Sequence, residues 1–220
     1  MNRVARAAAA HRLATRQTAV VHRLAALLLE YPTPELLALL PQIEAAAQEL
    51  PDTVAAPVRR LADHLLVTPL SQLQADYVET FDLRRRCSLY LTYYAYGDTR
   101  KRGVALVELK QAYRAAGAEV DGEELPDHLC ILLEFAATTD AEAGIGLLLA
   151  HRAGLELLRL ALEDSRSPYA GVVGAVCATL PPLAGDERDA VARLAAEGPP
   201  GEEVGLEPFM PPPTPMGARR

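Results

Sequence analysis

The sequence predicts an all-α protein, a single domain built as a multi-helix bundle. Apolar residues recur at three- and four-residue steps through the segments up to about residue 196. Capping residues, prolines and glycines punctuate those stripes at helix-length intervals. No alternating apolar-polar stretch of useful length competes with them, so no strand is expected.

The first stripe runs from Thr18 to Glu30 through Val21, Leu24, Leu28 and Leu29. Tyr31-Pro-Thr-Pro stops it, with Thr33 placed as a cap and Pro34 at the first position of the next helix. Leu36, Leu37, Leu40 and Ile43 carry that second helix toward Pro51. Asp52 and Thr53 are candidate caps for a third, through Val58, Leu61, Leu65 and Leu66. Thr68-Pro69 opens a fourth through Leu73, Tyr77, Val78 and Phe81. Asp98 then caps a helix to about Ala116, which Gly117 ends. Asp121-Gly122 marks a turn before a helix over Pro126 to Thr138. Further stripes cover Ile145 to Leu162, Tyr169 to Leu180 and Asp186 to Ala196.

Two ends flank this body. Residues 1–17 carry Arg3, Arg6, Arg12 and Arg16 around an alanine run and read as a flexible basic leader, since no apolar targeting core follows. Residues 197–220 hold seven prolines, which forbid a continuous helix and leave little apolar area to offset ordering entropy, so a disordered tail is expected. The working domain is then 18–196.

Composition narrows the function classes. Half the 220 residues are apolar and 23% are charged, the balance of a soluble globular chain. A net charge of −7 argues against general affinity for nucleic acid or an anionic membrane, and for basic partners. The run Leu24 to Leu29 is too short to span a bilayer. Cys87, Cys130 and Cys177 form no CxxC pair and no zinc-type spacing with the scattered histidines, so neither a metal site nor a disulfide framework is indicated. An odd cysteine count suits a reducing compartment. No phosphate loop, GxSxG or HExxH is present, which weighs against an enzyme.

Two constellations remain. Asp76 to Gly103 holds most of the tyrosines, with Arg84 to Arg86 and Arg100 to Arg102 at its ends. On a helix Tyr90 and Tyr94 share one face, and a tyrosine ring with a polar tip suits a surface half in the core and half against a partner. The same pattern also fits a core helix with solvated charges at its ends. The second is Glu124-Leu125-Pro126-Asp127-His128, running into Cys130 to Phe135. If Pro126 starts the helix, His128 shares a face with Ile131, Leu132 and Phe135, and the acids sit at the favourable end of the dipole. Asp127 and Glu134 then lie roughly 10 Å apart along the axis, too far to share a proton. Burial would hold the His128 ring neutral and Asp127 would favour its charged form, and the pattern leaves that contest open.

These residues resemble the TorD-like family of maturation chaperones for molybdenum enzymes, and within it the NarJ-type nitrate reductase assembly chaperones. The Glu124, Pro126, Asp127, His128 element with Leu133 and Glu134 is similar to the wider signature. Tyr77 to Asp82, Arg85 to Tyr94 and Gly97 to Gly103 are similar to the NarJ-type run. The likeness spans roughly Leu24 to Leu180 and excludes both ends. It implies an all-α bundle of the TorD-like type, cytoplasmic and not an enzyme, with no cofactor or metal of its own. Its implied partner is the apo catalytic (alpha) subunit of a respiratory nitrate reductase, held at its N-terminal segment until molybdenum cofactor and iron–sulfur groups are inserted. Partner-binding residues implied are Glu124, Asp127, His128 and Glu134, with Tyr77, Phe81 and Tyr90 as apolar anchors. The alternative is a small helical protein that handles the molybdenum cofactor itself, its phosphate met by the two arginine clusters. Client identity, oligomeric state and whether the molybdenum cofactor touches this chain stay open.

Overall fold

The computed structural model describes residues 3–120 and 124–198, with side chains from Thr15 onward. The expected turn at Asp121-Gly122 and the tail from Pro199 lie outside the described residues. Among those described, no strand forms, and the all-α expectation holds.

Helix α1 (Arg3–Leu28) starts well before Thr18. Its alanine run is the strongest helix-forming composition available, so a helix needs no apolar stripe there. Its later turns bury Val21, His22, Leu24 and Leu28 and run along α7 (Leu129–Thr138), touching α2 (Pro34–Ala47), α3 (Asp52–Val67) and α10 (Ala170–Thr179). Thr33 caps α2 as expected, its hydroxyl oxygen accepting from the Leu36 N–H at 3.2 Å. Pro51, not Asp52 or Thr53, is the residue before α3, and its carbonyl accepts the first helical bonds.

The fourth helix is composite. α4 (Leu70–Tyr77) widens into a π-turn over Val78–Asp82, where the Leu83 N–H reaches the Val78 carbonyl five residues back at 3.0 Å. The Tyr77 and Phe81 rings, four positions apart across this turn, stand at 4.7 Å centroid separation. A 3₁₀ turn at Arg85–Cys87 leads to the short α5 (Leu91–Tyr96) and then to α6 (Arg100–Ala115). Thr99 takes the cap position expected for Asp98, which pairs with Arg102 instead.

The stripe Ile145 to Leu162 is two helices, α8 (Ala141–Ala150) and α9 (Arg152–Asp164), broken at His151. The break turns Arg152 and Glu156 inward toward α10, where they pair at 2.7 Å while almost wholly buried. α11 (Gly185–Glu197) lies on α9 and buries no residue of its own.

Candidate partner-binding site

Two backbone segments meet at the junction of the bundle. Ser88 to Tyr90 runs extended between the 3₁₀ turn and α5, and Leu125 to His128 turns tightly, with the His128 N–H on the Leu125 carbonyl at 3.0 Å. Pro126 fixes its own φ and disfavours helical backbone at Leu125. The segments pair as an isolated antiparallel bridge between Tyr90 and His128. The Leu91 N–H donates to the Asp127 carbonyl at 3.0 Å and the Leu129 N–H to the Leu89 carbonyl at 2.8 Å. Because these bonds occupy the turn's backbone, α7 begins at Leu129 rather than at Pro126. Tyr90 and His128 are thus the half-in residues before α5 and α7, not members of helical faces.

The side chains follow from that backbone. The Tyr90 hydroxyl donates to Glu124 Oε1 at 2.7 Å, and the His128 ring meets the Tyr90 ring edge-on at 5.2 Å. Glu124 is exposed, Tyr90 part-buried and His128 9% exposed. Asp127 is wholly buried, which removes it from direct reach of a partner in this conformation. Its Oδ2 accepts from the Thr92 N–H at 3.3 Å, from the Thr92 hydroxyl and from Arg102 Nη2 at 3.4 Å. Its Oδ1 is buried without a hydrogen-bond partner.

Burial decides the contest at His128. Desolvation lowers its pKa, opposed by the carboxylates of Glu124, Asp127 and Asp82, so the ring is held neutral. Tyr90 is pushed above the usual phenol range by burial and by its bond to Glu124.

The remaining signature residues lie apart from this cluster. Tyr77 and Phe81 are buried with Tyr169, and Tyr31 meets Tyr77 edge-on; the Tyr77 hydroxyl donates to the Leu29 carbonyl at 3.0 Å. They act as core beneath the surface rather than as exposed anchors. Glu134 is half-exposed and forms an ion pair with Arg23 of α1. The structure therefore brings together Tyr90, Glu124, Asp127 and His128, and leaves Tyr77, Phe81 and Glu134 in other environments.

The arginine clusters are partly engaged at home. Arg84 pairs with Glu79, Arg86 with Asp164 at 3.7 Å, and Arg102 with both Asp98 and Asp127. A surface cleft of about 360 Å³ lined by Glu44, Arg59, Arg60 and Asp63 contains none of the signature residues. The sequence pattern missed Thr92 and Arg102 as parts of this junction. The only available signal was their place inside the tyrosine-arginine run, because the pairing partner lies 25 or more residues away. Among the described residues no group of three metal-ligating side chains forms, and no helix is long and apolar enough to cross a membrane.

Comparison with known proteins bears on the same stretch. The nitrate reductase-like protein NarX of Mycobacterium tuberculosis is 42% identical over 164 residues, covering 73% of this chain. This chain spans 24% of NarX, about a quarter of that relative's length. The protein of Bacillus subtilis described as a probable nitrate reductase molybdenum cofactor assembly chaperone, NarJ, is 34% identical over 157 residues, 70% of this chain and 84% of NarJ. The Escherichia coli K12 nitrate reductase molybdenum cofactor assembly chaperone NarJ is 36% identical over 110 residues, 50% of this chain and 46% of its own. A solved structure described as a candidate redox enzyme maturation protein from Archaeoglobus fulgidus shares the fold, with TM-score 0.56 at 22% identity over 73% of this chain and 91% of that one. Residues 47–174, which contain the whole Tyr90–His128 junction, match the family described as nitrate reductase delta subunit, and the chain belongs to that family.

Proposed function

We propose that this chain is a dedicated cytoplasmic chaperone, not an enzyme, for the apo catalytic subunit of a respiratory nitrate reductase. It holds the N-terminal segment of that subunit while molybdenum cofactor and iron–sulfur groups are inserted and before the complex docks at the membrane. The observation that carries this is the exposed Glu124 carboxylate, pinned by the Tyr90 hydroxyl beside the His128 ring, in a family whose named relatives include assembly chaperones. An amphipathic basic segment laid against such a surface would set its apolar face on the tyrosine and its cations toward Glu124 and Asp82. The cost of ordering that segment keeps the complex releasable.

Direct contact falls to Tyr90, Glu124 and His128. Asp127, Tyr77 and Phe81 shape the surface from beneath, and Glu134 contributes if it leaves Arg23. The domain 18–196 is the working body, and the segment from Glu197 onward is dispensable for folding. Pull-down from nitrate-respiring cells tests the proposal: the tagged chain should capture the cofactor-free catalytic subunit in preference to the loaded one. Equal capture of both, or of neither, would sink it.

A further inference from the structure

The Tyr90 ring is only part-buried, yet three contacts fix it. Its hydroxyl is tied to Glu124, its ring packs T-shaped with the His128 ring, and the Arg102 guanidinium lies over its face, 5.4 Å from the centroid. Arg102 is the member of this set with the widest reach. Its Nε donates to Thr92 Oγ1 at 3.2 Å, its Nη1 to Asp98 Oδ1 at 3.1 Å and its Nη2 to Asp127 Oδ2 at 3.4 Å. One planar group thus joins the start of α5, the loop before α6 and the Pro126-Asp127 turn. A lysine ammonium is a point donor and cannot serve three acceptors in that fork while stacking on a ring.

The placement of Arg102 on α6 adds a second observation. The Tyr113 hydroxyl donates to the Pro126 carbonyl at 2.7 Å. Arg102 and Tyr113 lie eleven positions apart, about three full turns, and so share a helix face. Helix α6 therefore grips the same turn near both its ends. The Arg102 side chain is 16% exposed, shielded enough for a cation over a ring to count.

We infer that Arg102 is the positioning residue of this surface: it fixes the Tyr90 ring, and through it the Glu124 carboxylate, where a basic segment would meet them. The inference rests on the partner reading above. It also separates Arg102 from the other basic residues of its run, since its charge faces inward onto Asp127 and Tyr90 rather than outward to an anion.

The test uses the full chain with Arg102→Lys, Asp98→Asn and Tyr90→Leu, against a labelled peptide of the catalytic subunit's N-terminal segment. Arg102→Lys keeps a cation beside buried Asp127, so folding is retained, and should bind roughly five- to tenfold more weakly. In the Tyr90→Leu background the same change should alter affinity by less than about twofold, because the route through Tyr90 is gone. The Tyr90 ring resonances, assigned by their loss in Tyr90→Leu, should shift in Arg102→Lys while those of Tyr77 and Tyr169 stay. Asp98→Asn, which loosens the guanidinium only from its exposed side, should weaken binding about twofold and serves if Arg102→Lys fails to fold. Equal losses with and without Tyr90, or unmoved Tyr90 resonances, overturn the inference. If the unmodified chain does not bind the peptide, the partner reading falls by itself, and the Tyr90 resonances alone decide the positioning role.

Discussion

Asp127 shows how a residue can be legible by identity and hidden by environment. Its motif stands out in the sequence, and an acid near a helix start suggests a surface. Yet the carboxylate is sealed between Thr92 and Arg102, with Oδ1 left unpartnered. Removing one member of a buried pair strands the other, so Asp127→Ala should cost about 3 kcal/mol of unfolding free energy. Urea denaturation measures it; a loss below about 1 kcal/mol would mean that Arg102 finds water instead. The same logic gives a pH effect at His22, which is fully buried on α1 with Nε2 2.8 Å from Thr179 Oγ1. Burial lowers its pKa from 6.5 to about 4. The unfolded chain then binds more protons between those values, so stability is full above 6.5 and falls as pH drops toward 4, by roughly 3 kcal/mol in total. His128 and His151 are also lowered by burial and add in the same direction. His22→Asn should flatten the stability profile across that window; an unchanged slope would assign it to the other two rings.

At the scale of elements, periodicity carried most of the helices, and what it missed are events at single residues. The π-turn after Tyr77, the break at His151 and the delayed start of α7 each leave the apolar spacing nearly intact. A stripe reports which residues face inward, not whether one hydrogen bond skips a residue or is taken by a distant segment. The Tyr90–His128 bridge is such a case, since its two segments lie far apart in sequence and pair at one residue each. Gly154 of α9 shows a related limit. A glycine inside a helix usually costs about 1 kcal/mol relative to alanine, so Gly154→Ala would be expected to stabilise. Here an added Cβ would meet Tyr94 at 2.9 Å from Cδ2 and 3.0 Å from Cβ. The Tyr94 ring has little room to yield, because its hydroxyl is held by the Arg86 and Ser88 carbonyls at 3.0 and 2.9 Å. Overpacking at such a contact costs about 1–3 kcal/mol, which outweighs the propensity gain. Gly154→Ala should therefore lower the melting temperature, and a rise would show that α5 and α9 can slide apart freely.

The whole molecule carries a net charge of −7, but an acidic total fixes neither where a partner binds nor how tightly. What localises the expectation is that Glu124 is exposed and bonded to the Tyr90 hydroxyl, while the exposed Asp82 is close enough to favour the charged form of His128. At physiological salt the screening length is about 8 Å, so charges in contact with a docked basic segment still count while the distant acids of the chain largely do not. Glu124→Gln with Asp82→Asn should then weaken binding of the catalytic subunit's N-terminal peptide by about tenfold at low salt, at a few tenths to 1 kcal/mol for each exposed pair. The difference from the unmodified chain should shrink as salt rises, because screening has already removed what the substitutions take away. The side-chain amide introduced by Glu124→Gln would still accept from the Tyr90 hydroxyl, and both positions are exposed, so the melting temperature should stay within about a degree or two. Titrations of both proteins at low and high salt decide the matter. Binding that ignores both salt and the two substitutions would leave the apolar contacts around Tyr90 as the whole of the recognition.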